Sequence, residues 1–218
     1  MQSETKKCQN CKQDFVIQSD DFLFYQKIKV PPPTFCPECR LMRRFLHSNE
    51  MVLYKRKCDL TQKDIFSMYP PEALFPVYET SEWYSDKWDA YEYGMDFDET
   101  RPFLEQFLEL QNKVPRMALA QQGTPINSAY THRVSYPKNS YMAFRASYPE
   151  DCLYVYNAKY TRNCTDSIWI FDSDLCYECV NVENCYNLKH SQECKDSRDS
   201  YFLYGCRNTS SSAFCVNL

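Results

Sequence analysis

The sequence predicts a mainly β chain: a small cysteine-clasped N-terminal unit, then a right-handed parallel β-solenoid, with one or two helices. Three observations predict it. Two Cys-x-x-Cys pairs stand near the N-terminus, Cys8/Cys11 and Cys36/Cys39. Eight more Cys recur after position 150, among Asn, Asp, Ser and Tyr. The hydrophobic content is 44%, much of it supplied by 18 Tyr, 14 Phe and 13 Cys, which suits strands and flat packed faces better than helical bundles.

The same composition excludes several classes. Only 3 Gly occur in 218 residues, where roughly 15 are average, and each stands alone. Phosphate loops and dinucleotide turns need several glycines for close backbone approach, so neither fits. No apolar run approaches the ~18 residues of a membrane span. No secretory h-region follows Met1–Lys7. The reading is a cytoplasmic chain with reduced thiols, so the cysteines need a reason other than disulfides. Charge divides the chain. Residues 1–65 carry +4, residues 66–115 carry -8 and residues 116–218 are neutral. The domain reading is 1–63, 64–137 and 138–218.

In the first part, two Cys-x-x-Cys turns separated by 24 residues predict a Cys₄ zinc site at Cys8, Cys11, Cys36 and Cys39. Each turn offers two thiolates, and two turns complete a tetrahedron. Four thiolates leave no open position, so the one zinc per chain is structural. Between the pairs, Phe15–Ile17 and Phe22–Tyr25 suggest a hairpin or two short strands. Cys58 stands apart and reads as a buried small residue.

The run Lys7-Cys8-Gln9-Asn10-Cys11-Lys12-Gln13-Asp14-Phe15, then Asp21 to Tyr25, then Pro33 to Arg40, resembles the bacterial probable zinc-ribbon domain over residues 6–44. The family often has Gly after the first Cys-x-x-Cys, where this chain has Lys12. The whole chain is similar to bacterial proteins that join such a ribbon to a Cys-rich repeat. The resemblance implies zinc at the same four cysteines and names no activity.

After Cys39, the residues Arg40, Arg43, Arg44 and His47 fall at i, i+3, i+4 and i+7 of a helix. Lys55, Arg56 and Lys57 follow. This face can neutralise phosphates of nucleic acid. The other reading is a solvated face, or one docked on the chain's own acidic segment.

The middle part is too rich in Pro at Met68–Pro76 for regular structure. A helix is expected at about 100–113, with Pro102 in its first turn. Its packed face should be Phe103, Phe107 and Leu110, with Leu104 and Leu108. Trp83, Tyr84, Trp88, Tyr91 and Tyr93 lie among carboxylates. They suit sugar or cation binding, or a cap on the solenoid end, and the cap is preferred.

The last part repeats at about 21 residues. Cys164, Cys185 and Cys206 align, as do Cys152, Ser173, Cys194 and Cys215, and Ala158, Cys179 and Ser200. Asn163, Asn184 and Gly205 form a column suited to left-handed corners, and Asp166, Asn187 and Asn208 another. Small columns with recurring corners are what a stacked solenoid needs. Asp172 and Asp174, near Glu178, Glu183 and His190, could supply acid and base to a carbohydrate-cleaving enzyme. Cys176-x-x-Cys179 lacks the following helix of a redox site. The chain ends at Phe214–Leu218 without a polar cap, so the expectation is a truncated chain or an end covered by a protein partner.

The sequence therefore favours a non-catalytic zinc-dependent adaptor. Its basic helix contacts nucleic acid or a nucleoprotein, its solenoid or C-terminal end offers a protein-binding surface, and no membrane is involved. The alternatives are a solenoid enzyme acting on carbohydrate and a structural assembly protein.

Overall fold

The computed structural model describes residues 2–46 and 49–218; His47 lies outside the described residues. It divides into two compact units, Met1–Asn49 and Glu50–Leu218. The second unit joins the middle and last parts of the chain.

The first unit opens with β1 (Glu4–Lys7) and β2 (Asp14–Ile17), an antiparallel hairpin. Its turn carries Cys8 and Cys11 and closes through Lys12 at φ 63°. The residues Phe22–Tyr25 are not strand. They lie in α1 (Ser19–Lys27), whose start is fixed by a capping box between Gln18 and Asp21. At helical spacing Phe22 and Tyr25 reach the cysteines, while Leu23 and Phe24 face outward. Then α2 (Pro37–Phe45) begins with Cys36 as its N-cap and Pro37 in its first turn.

The second unit starts with another antiparallel hairpin, β3 (Tyr54–Lys57) and β4 (Asp64–Ser67). After it come β5 (Val77–Tyr78), the short α3 (Thr80–Trp83), α4 (Phe103–Lys113) and β6 (Arg116–Met117), which pairs with β5. Among the described residues there are thus four α-helices, more than the one or two expected. The expected helix near 100–113 is present, but its packing is reversed. Phe103, Leu104, Phe107 and Leu108 are exposed, and Gln106 is its buried residue. Gln106 binds Asp98 and Arg101 backbone, so a polar anchor holds the helix down rather than its apolar stripe. The aromatic segment packs on itself. Trp83 and Trp88 lie 4.6 Å apart, and Trp88 Nε1 donates to Trp83 O at 2.9 Å. Phe66 of β4 meets Tyr130 of the first coil edge-on at 4.8 Å.

The solenoid runs from Gln121, earlier than the boundary at 138, to Val216. All its strand pairings are parallel. The register corrects the period. Leu153 pairs with Thr165, Ile168 with Val180 and Tyr186 with Arg198, a coil of 12 residues rather than 21. The first coil holds one residue more, with Gln121 opposite Val134.

Within each coil the unit is a triplet. Every third residue has positive φ, as at Asn163 (50°), Asp166 (53°), Trp169 (55°) and Asp172 (48°). The residue after each points inward and is buried: Cys164, Ser167, Ile170 and Ser173. A shift of 21 is seven triplets, so it brings inward residue onto inward residue while missing the coil. From Asn127 to Asn217, the residues with positive φ include no Val, Ile, Thr or Pro. Side chains branched at Cβ, and proline's locked φ, tolerate this conformation least.

The triplet also explains the cysteines. The first N–H of a triplet donates to a carbonyl of the next coil, as Lys138 does to Pro149 at 3.0 Å. The second donates to a carbonyl of the previous coil, as Asn163 does to Glu150 at 3.0 Å. Many inward N–H groups instead reach a side chain one coil earlier: Cys179 N–H donates to Ser167 Oγ, and Cys185 N–H to Ser173 Oγ, each at 3.1 Å. A thiol does the same work. Cys164 Sγ donates to Arg162 O at 3.0 Å and receives the Cys176 N–H. Cys and Ser are thus small inward residues that both donate to a carbonyl and accept from an N–H, and buried backbone groups need such partners.

Candidate metal centre

Cys8 follows β1 directly, Cys11 lies in the β1–β2 turn, and Cys36 and Cys39 open α2. Their four sulfurs lie within 4.8 Å of one another. Cys8, Cys36 and Cys39 are buried and Cys11 is exposed. Cys11 Sγ and Cys36 Sγ are 3.8 Å apart. Two thiolates at about 2.3 Å from one tetrahedral ion would stand about 3.8 Å apart, so the spacing suits an ion and is too wide for a disulfide.

N–H donors converge on the sulfurs. Cys36 N–H donates to Cys8 Sγ at 3.2 Å, Cys39 N–H to Cys36 Sγ at 3.5 Å and Asn10 Nδ2 to Cys39 Sγ at 3.4 Å. The start of α2 points its free N–H groups at the same place. Burial raises the pKa of Cys8, but N–H groups of Cys36, Cys11 and Asn10 outweigh it and lower the thiol to about 6. The Gln13 N–H lowers Cys11, yet burial and the three neighbouring sulfurs carry it up to about 12. The Cys8 thiolate is favoured while its sulfur neighbours oppose a second negative charge at Cys11, and a cation bound among them would relieve that repulsion. Phe15, Ile17, Phe22, Tyr25 and Phe35 surround it. The arrangement can hold one metal ion in a closed shell, where it ties the hairpin to α2.

The basic residues fall on both units. Arg40 is half-buried and donates to Tyr25 OH at 3.2 Å, so it braces α1 against α2. Arg43 is exposed and lies 4.6 Å over the Phe35 ring; Arg44 is exposed. Lys55 is exposed, and Lys57 pairs with Asp64 at 2.8 Å. Arg56 departs from the expectation of a phosphate contact. It is buried, and its guanidinium binds Asp59 and Pro70 O, each at 2.8 Å.

The acidic residues of the solenoid are also placed. Asp172 sits at a corner with φ 48°, so it and Asp174 are not alternate residues of one strand. Both line a groove of about 390 Å³ with Tyr148, Glu150, Tyr160 and Arg162. The two oxygens of Asp174 accept from Arg162 at 3.1 Å and Asn163 at 2.9 Å. Glu178 and His190, one coil apart, meet at 2.6 Å on the surface, and Glu183 pairs with Lys195. Cys176 and Cys179 are consecutive inward residues, both buried.

Sequence reasoning missed one cluster. Glu50 accepts from Arg133 at 3.1 Å, from Arg145 at 3.3 Å and from Tyr156 OH. It clamps the start of the second unit along three coils. The spacing of 12 between Arg133 and Arg145 was the available signal. Among the described residues no helix is long and apolar enough to cross a membrane. Comparison with protein-family models, with curated proteins and with solved structures finds no match, so the metal site rests on its own geometry.

Proposed function

We propose that the protein is a non-catalytic binding protein in which zinc at Cys8, Cys11, Cys36 and Cys39 fixes α2, and α2 contacts the phosphate backbone of a nucleic acid or nucleoprotein. The observation that carries the reading is the combination on one helix. Cys36 and Cys39 anchor its start at the metal site, and Arg43 and Arg44 stand exposed toward its end. A closed Cys₄ shell positions a helix without offering chemistry. Zinc fits because a set of four thiolates suits its tetrahedral, closed structural sites. Phosphate contacts then supply affinity without sequence information.

The test is anisotropy of a labelled single-stranded RNA with the full chain across a salt series. Affinity should fall as salt rises, and R43A/R44A should reduce the log–log slope by about 1.4, at ~0.7 per lost contact. Absent binding, or binding indifferent to salt, refutes the reading.

A further inference from the structure

The β3–β4 hairpin repeats the β1–β2 hairpin residue for residue. Lys57 pairs with Asp64 as Lys7 pairs with Asp14, and Tyr54 with Ser67 as Glu4 with Ile17. The turns agree. Cys8 N–H donates to Gln13 O at 2.8 Å and Lys12 N–H to Cys8 O at 3.0 Å. Cys58 N–H donates to Lys63 O at 2.9 Å and Gln62 N–H to Cys58 O at 2.8 Å. Lys12 and Gln62 share a left-handed backbone, φ 63° and 61°.

The second halves agree too. Gln9 N–H donates to Thr34 O at 2.9 Å, and Asp59 N–H to Val77 O at 3.0 Å. Cys36 N–H donates to Cys8 Sγ at 3.2 Å, and Glu79 N–H to Cys58 Sγ at 3.3 Å. Cys36 is the N-cap of α2 and Glu79 the N-cap of α3. Cys39 is the buried residue of α2 and Glu82 that of α3. The N–H groups of Asn10, Cys11 and Cys36 face the Cys8 sulfur, while those of Leu60, Thr61 and Glu79 face the Cys58 sulfur.

We infer that residues 54–83 are a second copy of the metal knuckle that folds without an ion, with Cys58, Thr61, Glu79 and Glu82 at its four ligand positions. Three of the four positions have lost their thiol, and Glu82 is held by Lys87 at 2.6 Å. Other contacts tie the hairpin to the segment that leads into α3. Asp59 Oδ2 accepts from Val77 N–H at 2.6 Å and from Arg56 at 2.8 Å, and Arg56 reaches on to Pro70 O. The matching residues of the first copy are Gln9 and Lys6: Gln9 Oε1 accepts from Thr34 Oγ1 at 2.9 Å, the counterpart of the Asp59–Val77 contact, while Lys6 pairs with Glu4 at 3.7 Å rather than with Gln9. An apolar cluster of Cys58, Ile65, Val77 and Tyr78 with Trp83 and Trp88 packs around the second knuckle. The second copy is therefore a latent metal site.

The test is the full chain carrying T61C/E79C/E82C, with zinc counted per chain by elemental analysis and thiolate bands read after cobalt substitution. The variant should bind one more ion than the wild type, and adding C58S should remove most of that gain. A folded variant with no added metal overturns the inference. A second measurement covers a variant that does not fold. In the wild type, a chelator should expose residues 4–45 to protease and leave residues 54–83 protected. Loss of protection in both overturns the inference. The inference uses the first site only as a reference. Zero zinc in the wild type would end the zinc reading above, while the increment in the variant would still decide this one.

Discussion

Ser167 gives the most direct test of why the solenoid core is built from Ser and Cys. Its side chain is fully buried, donates to Thr165 O at 2.8 Å and accepts Cys179 N–H at 3.1 Å. In S167A, Thr165 O keeps a second donor, the Glu178 N–H at 3.3 Å. Cys179 N–H keeps none of its side-chain acceptor and lies in a core closed to water, since Cys179 is 0% exposed. Leaving one buried donor unpaired costs about 1–3 kcal/mol. For a unit of this size that is a Tm fall of about 2–4 °C per kcal/mol. S167C should recover much of the loss, because a thiol makes both bonds at neighbouring inward positions. The assay is urea unfolding followed by circular dichroism, with hydrogen exchange at the Cys179 amide. Exchange there should speed up in S167A and recover in S167C. Unchanged stability and exchange in S167A would refute the account of the core.

Two further outcomes follow from the corners and the surface. N181V should destabilise by about 2 kcal/mol and N181G by less than half of that, because Asn181 has φ 56° and a β-branched side chain resists that conformation; thermal unfolding of the two variants reads the difference. Glu178 is held below its usual carboxylate pKa, first by the Tyr177 hydroxyl at 2.8 Å and then by His190 at 2.6 Å. A depressed carboxylate stabilises the fold above its unfolded pKa of about 4.3 and loses that contribution as pH falls through the folded value. E178Q should therefore be less stable than wild type at neutral pH and equal to it in acid, measured as unfolding midpoints across pH.

By itself the sequence determined the four-cysteine cluster, the solenoid class and the corners occupied by Asn, Asp and Gly, while corners such as Trp169, Leu175 and Phe202 carried no such signal. Each is written locally. A Cys-x-x-Cys turn needs only its own spacing, and an Asn or Asp that accepts positive φ declares itself at one position. The segment Phe22–Tyr25 shows the limit, since its aromatics read as strand until the Gln18 and Asp21 cap is seen to start a helix there. Only the tertiary structure decided the coil length. A triplet pattern is unchanged by any shift of three, so Cys164 aligned with Cys185 as well as with Cys176, and the backbone pairing alone selects 12. It also decided that Arg56 faces inward, because its partners Asp59 and Pro70 are brought together by the fold of the knuckle. The second knuckle was hidden for the same reason. Three of its four thiols are gone, so the local match shrinks to Lys57-Cys58 and Asp64 against Lys7-Cys8 and Asp14, and the rest of the kinship lies in hydrogen bonds between segments about twenty residues apart.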